Sequence, residues 1–152
     1  MQAKFLFVLI VASVLTACAT PTTTAPAGVT TAPALFSEFT TVATDQGKFY
    51  QISPTTLAAG LKSKNFFFVN THTPYEGEIE QTDAFLKFDE ISLRLAELPA
   101  DKNAPIVLYC QSGRMSAIAA TTLANAGYTN VWDLAGGMLA WEADGFKLLL
   151  NQ

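Results

Sequence analysis

A chain of 152 residues, half of them hydrophobic, is long enough to form one domain with its own core. A net charge of −4 excludes a surface built to hold nucleic-acid phosphates. Two cysteines, Cys18 and Cys110, are too few for a disulfide framework.

The N-terminus has the pattern of a targeting segment. After Lys4, residues 5–17 carry no charge. That length suits a signal-peptide core and falls short of the roughly 20 residues a spanning helix needs. The run ends in Leu15-Thr16-Ala17-Cys18, which resembles the lipobox of bacterial lipoproteins. The resemblance implies that residues 1–17 are removed and that Cys18 is lipidated. It places the chain in the cell envelope, extracytoplasmic, on the periplasmic side where an outer membrane exists. Two acyl chains are what stable anchoring requires. Residues 19–34 contain only Thr, Ala, Pro, Gly and Val, so 18–35 is expected to be a lipidated cysteine followed by an extended tether. The folded domain is assigned to 36–152.

Within that domain, strand and helix signals alternate. Residues 48–52 have the look of a first strand. Ser53-Pro54 then supplies a helix cap and a first-turn proline, with Leu57, Ala58 and Leu61 on one face. Residues 65–70 form a continuous apolar run, as in a strand covered on both sides. A loop follows at 71–77, a short strand at 84–88, and a helix from Asp89 with Ile91, Leu95 and Leu98 in a stripe. Residues 105–109 are the next buried strand. The helix after it places Met115, Ile118, Ala119, Thr122, Leu123 and Ala126 on one face and stops at Gly127. A last strand at 130–134 leads through Gly136-Gly137 into a short helix around Trp141, stopped by Gly145. This order predicts an α/β fold of three layers, with about five mostly parallel strands between helices.

Cys110 ends a strand and is followed by Gln111-Ser112-Gly113-Arg114-Met115-Ser116. Ligands in such folds bind at the carboxyl ends of strands. A tight polar loop there turns successive backbone N–H groups toward one sulfur, and the helix start adds unpaired N–H groups and a positive dipole end. Both lower the cost of a thiolate, the reactive form. Gly113 supplies a conformation closed to most side chains. Ser112 and Ser116 offer hydroxyl donors, and Arg114 can bind the anionic end of a donor. This pattern predicts an exposed, activated thiol rather than an inert packed one.

Cys-x-x-Gly-Arg-x-Ser, with Gly127-Tyr128-x-Asn130-Val131-x-x-Leu134-x-Gly136-Gly137-x-x-x-Trp141 downstream, resembles a single-domain rhodanese. The resemblance covers about 48–147 and is densest over 105–145. It implies a catalytic Cys110 that takes a sulfane sulfur from a small anionic donor such as thiosulfate and hands it to cyanide or a thiol. The loop 111–116 would bind the persulfide, with no metal or organic cofactor. Cysteine phosphatases have a similar loop but place arginine six residues after the cysteine; here that position is Ser116, which disfavours phosphoryl transfer.

Two departures from the family pattern concern the neighbouring loop. Asn70-Thr71-His72 stands where many rhodaneses have Asp-x-Arg, so Asn70 and His72 are candidate supporting residues without the usual salt bridge. Glu76, Glu78 and Glu80 are expected to form a solvated face, and Asp133 to have no catalytic partner. Trp132 and Trp141 are expected to pack. An alternative function is a low-turnover sulfur carrier serving an envelope protein partner.

Overall fold

The computed structural model describes residues 35–150. Its centre is strand β5 (Ile106–Tyr109), in which all four side chains are buried. The other strands are β1 (Thr40–Ala43), β2 (Lys48–Ile52), β3 (Phe67–Asn70), β4 (Ala84–Phe85) and β6 (Val131–Leu134). They form one sheet in the order β1-β2-β6-β5-β3-β4. Only β1 is antiparallel to its neighbour. The expected α/β fold with a mostly parallel sheet is present, with an edge strand at residues 40–43 beyond the five expected. The lipobox, Cys18 and residues 19–34 lie outside the described residues. No described helix is long and apolar enough to cross a membrane.

Side chains alternate across the sheet, so each strand feeds two cores. Ile106 and Leu108 of β5 join Phe49, Val69, Leu123 and Val131 on one face. Val107 and Tyr109 join Ile52, Leu57, Trp132 and Trp141 on the other. Helix α2 (Arg114–Asn125) covers the first face; α1 (Pro54–Leu61) and α3 (Gly137–Ala143) cover the second. The Ser53 hydroxyl caps α1 by accepting the Thr56 N–H at 3.2 Å. That satisfies one of the N–H groups a helix start leaves open.

Two sequence expectations change. The helix expected from Asp89 is instead two 3₁₀ turns, Ile91–Leu93 and Leu95–Glu97. Its amides bond three residues back, Leu93 N to Glu90 O and Leu98 N to Leu95 O. Ile91 and Leu98 still reach the core, so the apolar spacing was meaningful but served a tighter winding. In α2 the buried residues are Ser116, Ala119, Ala120, Leu123 and Ala124, while Ile118 is exposed. Small side chains let this helix lie close on the sheet, and the buried stripe is rotated from the one apolarity marks. Trp132 and Trp141 pack as expected, their indole N–H groups donating to Asn130 Oδ1 and Lys147 O.

Candidate active site

The period of two along β5 decides where Cys110 points. Residues 106, 108 and 110 share the face covered by α2, which starts four residues after the cysteine. The thiol is therefore beneath the helix start, not on its rim. Cys110 is 1% exposed, which corrects the expectation of an exposed thiol. The Ser116 hydroxyl lies 3.5 Å from Cys110 Sγ and 3.2 Å from Gly113 O, and can donate to either.

Gly113 precedes α2 with φ 84°, ψ −14°, a left-handed conformation, and no side chain caps the first turn. The N–H groups of that turn are therefore left without a capping side chain. Arg114 and Ser112 are exposed, Gln111, Gly113 and Met115 half-buried, and Ser116 buried. The six loop residues are together, but only Ser116 bonds the sulfur directly. Under the loop runs the 136–137 turn. Met138 N donates to Cys110 O and Leu139 N to Gln111 O, both at 2.9 Å. These bonds hold the loop from below and need a glycine at 137, where φ is 60°.

The neighbouring loop is fastened to the same place. Thr71 donates twice to Tyr109 O, from N at 2.8 Å and from Oγ1 at 2.9 Å. The Asn70 side chain folds the loop, donating to Gly77 O at 3.0 Å and accepting from His72 N at 2.9 Å. His72 is buried, and its Nε2 lies 3.1 Å from Glu76 Oε2. The same carboxylate oxygen accepts from Gln111 Nε2. Asn70 and His72 therefore support the cysteine loop through Glu76. Glu76 is on a solvated face as expected, its side chain 44% exposed, and from there it also joins His72, four residues away, to Gln111, 35 residues away.

Asp133, for which no catalytic partner was expected, stands out by its burial. It is fully buried in β6, and Oδ2 accepts from Gln51 Nε2 at 3.0 Å. A charged residue inside the apolar run Val131-Trp132-Asp133-Leu134 was the available sequence signal. Burial pushes its carboxyl up to about 6, against the weaker opposing hydrogen bond from Gln51. Oδ1 is buried without a hydrogen-bond partner. The folded state favours the neutral acid, so stability is greatest below the ordinary aspartate range, near 3.8, and is lost as pH rises through about 6. Asp133→Asn should then stabilise the protein by about 2–3 kcal/mol at pH 7 and have little effect below pH of about 4. Denaturant melts across that range measure this; a gain independent of pH would contradict it.

No group of His, Cys, Asp and Glu among the described residues is arranged to hold a metal. The family model for the rhodanese-like domain matches residues 61–144, spanning both loops and the strands that carry them. The chain belongs to the rhodanese-like family. It is 37% identical over 59 residues to a sulfurtransferase of Allochromatium vinosum, covering 39% of this chain and 53% of that protein. It is 31% identical over 96 residues to a thiosulfate sulfurtransferase of Ectopseudomonas mendocina, covering 63% of this chain and 87% of that protein. A rhodanese-related protein from Thermoplasma volcanium has the same fold, with a TM-score of 0.57 at 23% identity, covering 66% of this chain and 98% of that one. In this rhodanese-like domain, His72 and Glu76 tie the second loop down where an arginine is the commoner residue in the resemblance noted above.

Proposed function

We propose that this protein is a sulfurtransferase of the cell envelope whose Cys110 carries sulfane sulfur as a persulfide. The observation that carries the reading is the sulfur at the end of β5, under the uncapped start of α2, with the Ser116 hydroxyl 3.5 Å away. In the loading step the Cys110 thiolate attacks the outer sulfur of thiosulfate. An S–S bond forms, the S–S bond of the donor breaks, and sulfite leaves with the electron pair. A second nucleophile, cyanide or a thiol, then takes the outer sulfur and returns Cys110 to the thiolate. No metal or organic cofactor enters either step.

Turnover of thiosulfate and cyanide to thiocyanate tests catalysis directly. The alternative, a carrier with slow turnover, is favoured by the 1% exposure of Cys110, which restricts small donors. It predicts a loaded protein that gives sulfur to an envelope protein far faster than to cyanide. Rapid cyanide turnover without any partner contradicts the carrier reading.

Arg114 is exposed at the first position of α2 and is in none of the ion pairs of the described residues. Its free guanidinium suits the sulfonate end of an anionic donor, which the overall negative charge otherwise repels. Arg114→Ala should slow loading by thiosulfate about tenfold more than loading by a neutral persulfide donor. Equal losses contradict this role.

The envelope location rests on the lipobox alone. Metabolic labelling with palmitate should mark the chain in a bacterial host and fail in Cys18→Ala. Labelling that survives Cys18→Ala would remove the anchor from the reading.

A further inference from the structure

The crevice beside Cys110 is bridged by a charge that the proposed chemistry leaves unused. β3 and β5 are adjacent and parallel, so the loops 71–77 and 110–116 leave the same end of the sheet. Ligands of such folds bind in the crevice at that end. Glu76 spans it: one carboxylate oxygen accepts from Gln111 Nε2 and lies 3.1 Å from His72 Nε2. Gln111 is itself fixed from below, its carbonyl accepting from Leu139 N at 2.9 Å. The carboxylate is thus tied to the residue next to the nucleophile. One peptide step, one glutamine side chain and one hydrogen bond put it within about 15 Å of the sulfur. Charges interact over that range, since the screening length is about 10 Å at 0.1 M salt and about 30 Å at 0.01 M.

Little stands near to cancel that charge. Among the described residues the one ion-pair partner of Glu76 is His72, and a neutral imidazole donates a hydrogen bond without adding positive charge. Lys64, Lys87 and Arg94 are committed to Asp83, Glu90 and Glu97. Arg114 stands at the start of α2 and makes no ion pair with Glu76. We infer that Glu76 is a specificity-determining residue of the cysteine site: held at the crevice by Gln111, its carboxylate selects neutral sulfur donors and acceptors over anionic ones. A repulsive element of this kind discriminates without adding any contact to the favoured substrate. Thiosulfate, a dianion, approaches toward Arg114 but against Glu76, whereas a neutral donor is indifferent to both charges. The inference deepens the sulfur-transfer reading and rests on Cys110 being the nucleophile.

The test compares two alkylating reagents of nearly equal size on the native full chain, at pH of about 8 and salt of about 0.01 M. Iodoacetamide is neutral and iodoacetate anionic; with both, the thiolate sulfur bonds to carbon and iodide leaves. The mass of the Cys110 peptide reports each rate, and the ratio of rates cancels any change in thiol ionisation. Glu76→Gln removes the charge and keeps an oxygen that can accept from Gln111. It should raise the iodoacetate rate relative to the iodoacetamide rate about threefold. Thiosulfate loading, relative to loading by a neutral persulfide donor, should rise about threefold to tenfold, because thiosulfate carries two charges. Asp101→Asn removes an exposed charge beyond the other end of β5 and should move either ratio less than half as far, measured logarithmically. Ratios unchanged in Glu76→Gln, or changed equally by Asp101→Asn, overturn the inference. Salt of about 1 M should itself raise the iodoacetate ratio in the wild type, and less than half as far in Glu76→Gln. Equal salt dependence in the two overturns the inference. Alkylation needs no sulfur transfer, so an altered ratio without persulfide formation supports the charge effect and rejects the proposed activity. Failure of both reagents to modify native Cys110 rejects it as an approachable nucleophile, and the inference with it.

Discussion

Cys110→Ser should lower sulfur transfer by at least about 10³-fold while leaving the fold intact. A serine hydroxyl is a far weaker nucleophile at neutral pH and cannot form a persulfide. The substitution is nearly isosteric, and Ser116 can donate to the new oxygen as it does to the sulfur. A stopped-flow measurement of sulfite release, beside a thermal melt, separates the two effects. Activity within tenfold of the wild type would mean that another group attacks the donor.

Gly137→Ala should be the most damaging small substitution in the domain. A methyl group there would lie 2.2 Å from Cys110 O, 2.7 Å from Gln111 O and 2.7 Å from Gly113 N. All three are backbone atoms, so no side chain can swing aside. The left-handed φ of 60° adds about 1 kcal/mol for any side chain. Together these should cost about 3–5 kcal/mol, and any relief must come from moving the cysteine loop off the 136–137 turn. Loss of sulfur loading should therefore accompany the fall in Tm. Gly145→Ala is the control: φ is 87°, yet nothing lies within 4 Å of the added methyl. That change should cost only about 1 kcal/mol and leave loading unchanged. Equal destabilisation by the two would show that backbone conformation alone, and not contact with the cysteine loop, sets the cost.

The strand–loop–helix around Cys110 was legible because its signals are local: an apolar run, Gly113, and an alanine-rich helix ended by Gly127, whose φ is 89°. β1 was not legible, because it is a short edge strand of half-polar, mostly exposed residues beside the Thr/Ala/Pro-rich segment. The exposure of Ile118 and the burial of Ala120 escaped notice for a different reason. Close packing of α2 on the sheet selects small side chains over apolar ones. Around the site, Glu76 and Asp133 find partners 35 and 82 residues away, at Gln111 and Gln51, and no window along the chain contains such pairs. The buried position of Cys110 follows from strand alternation once α2 is known to cover that face. The polar loop that follows it conceals this in the sequence.

These details converge on whether a nearly inaccessible sulfur can still be loaded. The decisive measurement is the intact mass of the purified chain after thiosulfate treatment, beside Cys110→Ser. The account predicts a gain of one sulfur atom in the first, removable by cyanide, and none in the second. An unchanged mass with thiosulfate and with persulfide donors alike, or the same gain in the serine variant, would contradict it.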